Sequence, residues 1–180
     1  MISYLTIIKL GGVIIKLNQD TPNNKDAKNS VSAAVRIMQT IKEETNPREG
    51  LNRALTHLES AFENYSPWTW DVWDKEKVLW DKKTFKNSIC LIIAALHYTL
   101  DNKTIARKWL VDNLDEWGSI YFPDEILEAF SMTDENEFYD SIGCLKEIQT
   151  IKSEADSNWH YLYDQNDIDD YFLYRNSHYD

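Results

Sequence analysis

The sequence predicts an all-α domain, or one that is nearly all-α, formed by antiparallel helical hairpins in a bundle of five to seven helices. The first observation is that apolar residues recur at three- and four-residue spacing along most of the chain, which is typical of helices with one buried face. The second is that start and stop signals flank these segments, as at Asn46-Pro47 and Pro67. The third is an aromatic share of 13%, including seven Trp, which indicates a folded chain.

A chain of 180 residues has the length of one ordinary domain, so a single hydrophobic core is expected. Within the domain 1–180, three parts are distinguished by composition. They are an N-terminal apolar segment plus linker at 1–29, a helical core at 30–155, and an acidic, aromatic C-terminal segment at 156–180.

The N-terminal segment is the one place where strands are expected. Residues 2–17 form two β-rich runs around Gly11-Gly12, which predicts a short β-hairpin, with a helix as the alternative. Residues 18–29 show no apolar periodicity and are expected to be a linker.

The helical core begins at Ser30, where apolar residues start to recur on one face. Asn46, Pro47 and Glu49 form a strong start signal for the next helix, with the carboxylate placed for a capping box. The run 89–96 is apolar enough to be central in the core. Beyond it, three further helical patterns follow. We expect Gly118 to close the helix over 105–114, Pro123 to open a short one, and Thr133 to cap a last one that continues through Ile148.

The net charge of −11 restricts the classes of partner, because 19 Lys and Arg oppose 30 Asp and Glu. Such a chain repels phosphate backbones and anionic lipid, so direct binding to nucleic acid or to a membrane is not expected. Cys90 and Cys144 lie in apolar helical patterns and are expected to be free thiols in a reducing compartment. Because the N-terminal apolar segment is short, broken and without a basic leader, a cytoplasmic location is expected.

A stretch that is rich in tryptophan and aspartate is the first candidate binding site. Indole faces beside carboxylates attract Arg and Lys, and Trp is common among interface hot spots. The alternative is that several of these rings fill the core beneath a loop. The candidate anchors are Trp68, Trp70, Asp71, Trp73 and Asp74.

The C-terminal segment supplies the second candidate, a surface that steers a basic partner by charge. It fails as a calcium loop, because it has no central Gly and no closing Glu. A solvated tail is the alternative. The steering residues are Asp164, Asp167, Asp169 and Asp170.

Catalytic and metal-binding signatures are missing from the sequence, so no catalytic residue, metal or cofactor is predicted. His57 and His97 could supply two ligands, the latter with Asp101 four residues on, but zinc hydrolases use three protein ligands. Helical histidines packed at an interface are the alternative. An enzyme whose site is dispersed in sequence stays open.

Two segments resemble the helical hairpins of tetratricopeptide repeats. The matching positions are Ala54, Leu58, Ala61 and Pro67 in the first segment, and Ala95, Tyr98 and Ala106 in the second. The Trp and Gly of the repeat's first helix are absent. The resemblance covers about a third of the chain and implies a helical scaffold that binds protein segments on a concave face.

The charge and the aromatic residues together predict a non-catalytic protein that binds a basic protein partner. An inhibitor or immunity-type protein, acting on a toxin or a defence nuclease, needs no more than a surface of this kind. The two alternatives are a tetratricopeptide-like scaffold and an enzyme with a dispersed active site.

Overall fold

The computed structural model describes residues 3–20, 25–65 and 75–162. Within these ranges the chain forms eight α-helices and a 3-10 turn, and no strand, so the all-α prediction is confirmed. There are more helices than the five to seven expected, because the N-terminus is helical and the last predicted helix is divided in two. The helices are α1 Tyr4–Asp20, α2 Lys25–Thr40, α3 Pro47–Asn64, α4 Lys75–Thr99, α5 Lys103–Asn113, α6 Asp124–Phe130, α7 Glu135–Ser141 and α8 Leu145–Leu162, with the 3-10 turn at Ile41–Glu43.

Helix α1 corrects the hairpin prediction. Ile7, Leu10 and Ile14 are fully buried and recur at three- and four-residue spacing, so one face of a helix packs against α2, α4 and α6. The Gly pair lies inside this helix instead of in a turn. A Cβ added to Gly11 would stand 3.5 Å from that of Met38 in α2, an ordinary packing distance. The β-branched residues and the Gly pair are typical of a hairpin, which explains the error. The buried residues, however, recur at the three- and four-residue spacing of a helix.

Consecutive helices pack on each other as pairs, α2 with α3 and α4 with α5. Helix α2 begins at Lys25, so the predicted linker at 18–29 was drawn too long. Helix α3 begins at Pro47 as predicted, and the amide of Glu49 donates to the Asn46 carbonyl at 3.1 Å. The Asn46 side chain makes no capping hydrogen bond, so the proline, and not a capping box, marks this start.

Helix α4 is the centre of the core, as its apolar run predicted. Every side chain from 89 to 96 is at most 1% exposed, and α1, α3 and α5 all pack against this helix. The chain leaves α4 through Asp101, whose φ of 63° is left-handed. This turn sends α5 back along α4.

The helix predicted from Thr133 through Ile148 is interrupted. Gly143 has a φ of 72°, a conformation that ends α7 and reorients the chain before α8. The N-cap of α7 is Asp134, whose Oδ1 accepts from the Glu137 amide at 3.1 Å, so the prediction of Thr133 as the cap was one residue early. Thr133 supports the same turn, because its amide and hydroxyl both donate to the Glu137 carboxylate.

Both cysteines are buried free thiols, as expected. Among the helices of the described ranges, none combines the length and apolar character that a membrane crossing requires.

Candidate functional site

The nine residues predicted as anchors and steering groups lie outside the described residues, since they fall within 66–74 and 163–180. Their role stays a prediction. The described part of the chain contains another surface with the same chemistry, which is built by the segment between α5 and α6 and its surroundings.

Negative charge in the chain is concentrated in residues 109–145. This stretch of 37 residues contains ten carboxylates and no Lys, Arg or His, in a chain whose net charge is −11. The carboxylates belong to Asp112, Asp115, Glu116, Asp124, Glu125, Glu128, Asp134, Glu135, Glu137 and Asp140. The segment therefore contributes a large excess of negative charge, which attracts positively charged groups.

Four of the ten carboxylates are neutralised by lysines from elsewhere in the chain. The pairs are Asp115 with Lys83, Glu125 with Lys16, Glu128 with Lys9, and Glu135 with Lys152. Asp134 and Glu137 accept hydrogen bonds at the start of α7. Within the described residues, the remaining four have no ion-pair partner: Asp112, Glu116, Asp124 and Asp140.

The α5–α6 loop, residues 114–123, is held against α4 by one fully buried side chain. The Asn87 amide group donates to the carbonyls of Asp115 at 3.0 Å, Gly118 at 3.2 Å and Ser119 at 3.3 Å. Its carbonyl oxygen accepts from the Asp115 amide at 2.9 Å. A single side chain thus supplies partners to both ends of a five-residue stretch that has no regular secondary structure.

Three further contacts fix the α5–α6 loop. The Ser119 amide donates to Thr84 Oγ1 at 2.9 Å, and Asn158 Nδ2 of α8 donates to the Glu116 carbonyl at 2.9 Å. Gly118 lies so close to α4 that a Cβ on it would stand 2.5 Å from backbone atoms of Lys83 and Thr84. The prediction that Gly118 ends α5 was therefore wrong: α5 ends at Asn113, and the glycine is needed for close approach to α4.

Two aromatic side chains project from this fixed loop. Trp117 is 38% exposed and Tyr121 is 72% exposed, whereas Phe122 next to it is buried. Trp117, Glu116 and Glu154 are among the residues that line an open groove of about 370 Å³ between the loop and α8. An indole face beside two carboxylates has the chemistry to receive a Lys or Arg side chain.

A second concavity lies on the Tyr121 side of the loop, between α1, α4 and α6. Its volume is about 460 Å³ and its wall is mainly apolar, with Val13, Phe85 and Ile92 among the lining residues. Lys16 and Glu125 at this pocket pair with each other. Since these charges satisfy each other, the described lining does not select a charged ligand.

The histidine prediction is resolved in favour of interface packing for His97. This side chain is 8% exposed, neither ring nitrogen has a hydrogen-bond partner in the described residues, and Glu59 Oε1 lies 3.9 Å from Nε2. Burial lowers the pKa of His97, while burial and then the neighbouring Glu63 raise the pKa of Glu59. Neither His97 nor His57 belongs to the described lining of the 460 Å³ pocket.

No cluster of three or more metal-ligating side chains occurs among the described residues. The expected proximity of His97 and Asp101 does not produce a site, because Asp101 lies beyond the end of α4 and is exposed. The second-helix positions of the tetratricopeptide resemblance, Ala54, Leu58 and Ala61, are all fully buried in the core.

No protein-family model matches the chain, and no curated protein or solved structure is significantly similar to it. The sequence interpretation missed Asn87, Trp117 and Tyr121. A signal for the two aromatics was present, because Asp115-Glu116-Trp117 repeats in brief the composition of the tryptophan-rich stretch. The role of Asn87 has no such signal, since its partners are 28 to 32 residues away.

Proposed function

We propose that this protein is a non-catalytic binding protein for a basic protein partner and that the α5–α6 loop is part of the binding site. The observation that carries the proposal is the exposed Trp117 beside Glu116 and Glu154, on a loop that a buried asparagine holds in place. An inhibitor or immunity-type role follows naturally if the partner is a toxin or nuclease that uses a basic surface for its own activity.

Charge brings the partner to this face. Within the described residues, six of the ten carboxylates in 109–145 have no lysine partner, and an excess of one sign of charge raises the rate of encounter with oppositely charged surfaces. Glu116 lies in the loop, and Asp112 and Asp124 lie close to its two ends in sequence; none of the three has an ion-pair partner among the described residues.

Aromatic side chains on the fixed loop then supply binding free energy. A Lys or Arg of the partner that enters the groove contacts the Trp117 ring and two carboxylates together, an arrangement typical of interface hot spots. The loop is already fixed by hydrogen bonds from Asn87, Thr84 and Asn158, so little conformational entropy is lost on binding. The tryptophan-rich stretch and the C-terminal aspartates remain proposed additions to this surface.

The test is capture of partners from a lysate of the source cell with immobilised protein, at low and at moderate salt. The wild type is compared with Glu116→Lys/Glu154→Lys, which reverses both groove carboxylates. The matched control is Glu43→Lys/Glu63→Lys, which changes the net charge equally at two exposed positions elsewhere. We expect a basic protein that the wild type and the control capture in a salt-sensitive manner, and that the groove variant loses.

Equal capture by the two double variants would show that net charge, and not the groove, attracts the partner. Capture of acidic or neutral proteins that are indifferent to salt would contradict the proposal as a whole. For a captured partner, Trp117→Ala should mainly raise the dissociation rate, whereas the groove charge reversal should also slow association.

A further inference from the structure

Helix α1 exposes an apolar face that the core does not use. We define the α1 seam as Leu5, Ile8, Gly12, Ile15 and Gln19, which follow one another at spacings of three, four, three and four residues. This is the spacing by which one helix contacts another along its length. Leu5 and Ile8 are 61% and 62% exposed, although the opposite face of the same helix is buried.

The α1 seam carries no charged side chain of its own, which limits the repulsion between two copies of the same net charge. Residues 3–19 contain two lysines and no carboxylate, in a chain of net charge −11. Both lysines are neutralised by α6, Lys9 by Glu128 at 3.2 Å and Lys16 by Glu125. The seam is therefore uncharged, and the lysines beside it are already paired with carboxylates. The 109–145 segment, by contrast, would repel a second copy strongly.

The order of side chains along the α1 seam is self-complementary for an antiparallel partner. In antiparallel pairing, Leu5 of one copy faces Ile15 of the other, and Ile8 faces Gly12, with the same contacts repeated across a two-fold axis. A Cβ on Gly12 would meet nothing within 4 Å, so the space above this glycine is open. The large Ile8 side chain of the second copy can enter that space.

We propose that the protein forms a symmetric antiparallel homodimer through the α1 seam. The proposal is independent of the basic partner, because α1 and the α5–α6 loop use different residues. One helical seam buries less than the roughly 1,600 Å² of a standard stable interface, so a dissociation constant on the order of micromolar is expected.

The first test is sedimentation equilibrium of the full chain over concentrations from about 1 to 500 μM, which bracket the expected affinity. The wild type should shift from monomer to dimer. Ile8→Glu should raise the dissociation constant about a hundredfold, because two buried apolar contacts are lost in each symmetric dimer. The matched control is Ile105→Glu on α5, also an exposed isoleucine, which should leave the constant unchanged.

Salt distinguishes this association from the proposed function. Two copies of charge −11 repel each other, so added salt should strengthen the dimer, whereas it should weaken capture of a basic partner. A wild type that stays monomeric, or a dimer that Ile8→Glu leaves intact, would overturn the proposal. If Ile8→Glu loses helicity by circular dichroism, Leu5→Glu at the neighbouring exposed position decides in its place.

The second test fixes the orientation of the helices. Ile8→Cys protein mixed with Gly12→Cys protein should form a disulfide-linked heterodimer under mild oxidation, because these positions face each other in the antiparallel pair. Ile8→Cys alone would crosslink efficiently only in a parallel pair. Preferential formation of the Ile8→Cys homodimer would therefore contradict the proposed arrangement.

Discussion

Two adjacent regions of the molecule, the α4 segment 89–96 and the α5–α6 loop, are both held firmly in the fold, but by different forces. Every side chain of the α4 segment is at most 1% exposed, so its position is determined by burial of apolar surface. The loop has no regular secondary structure, and its position depends on Asn87, Thr84 and the absence of a side chain at Gly118. Because different forces hold the two regions, we expect that the fold and the proposed binding surface can be damaged separately.

The largest effect is expected from truncation in the α4 segment. Leu91→Ala should lower the free energy of unfolding by about 3 kcal/mol, because a fully buried leucine is replaced by a cavity. Urea denaturation followed by circular dichroism measures the loss. The folded fraction should still bind the basic partner, since the loop contacts are untouched. A loss below about 1 kcal/mol would mean that the core around Leu91 collapses into the space.

A smaller loss of stability, but a larger loss of function, is expected from Asn87→Ala. Removal of this side chain leaves the Asp115 amide and three carbonyls without their partner, which should cost about 2 kcal/mol. Hydrogen exchange at Asp115 should accelerate more than exchange in 89–96.

The control for that variant is Ser88→Ala on the same helix, whose hydroxyl donates, among the described residues, to the Thr84 carbonyl within α4. It should change neither the exchange rates of the loop nor partner capture. Equal acceleration throughout α4 and the loop in Asn87→Ala would show that the two regions unfold as one unit and are not stabilised separately.

The smallest expected effect concerns pH. Burial lowers the pKa of His97 below its ordinary value of 6.5, so the unfolded chain takes up this proton first as the pH falls. The stability contribution of neutral His97 is therefore complete above pH 6.5 and is lost as the pH falls below that value. Thermal unfolding of wild type and His97→Leu at about pH 7 and pH 5 should show a smaller acid-induced decrease for the variant. Identical decreases would exclude His97 as the titrating group.

Periodicity predicted most of the fold because burial in this protein follows the helical repeat. The central position of 89–96 and the start of α3 at Pro47 are both local properties of the sequence. Several of the errors occurred at glycines. Gly11 and Gly12 suggested a turn and Gly118 a helix end, but the first packs on Met38 and the last on the backbone of α4. The role of these two glycines depends on segments that are distant in sequence, so the residues around each glycine do not reveal it.

The candidate site was less accessible from the sequence for the same reason. The net charge is the basis for proposing a basic partner, and the composition of Asp115-Glu116-Trp117 could have drawn attention to the loop. Its fixed geometry, however, depends on a buried asparagine 28 residues earlier and on Asn158 in the last helix. Long-range hydrogen bonds of this kind produce no periodic pattern in the sequence.

The two buried cysteines give the chain a chemical reactivity that follows its conformation. Burial raises the pKa of Cys144 to about 11 and raises that of Cys90 further, and Cys90 Sγ donates to the Trp109 carbonyl at 3.1 Å. Because only the thiolate attacks alkylating reagents and disulfides, both positions should be inert while the helices are closed. The rate at which each thiol is alkylated therefore reports how often its surroundings open. Cys90 reports opening of the α4–α5 pair, and Cys144 reports opening of the junction between α7 and α8.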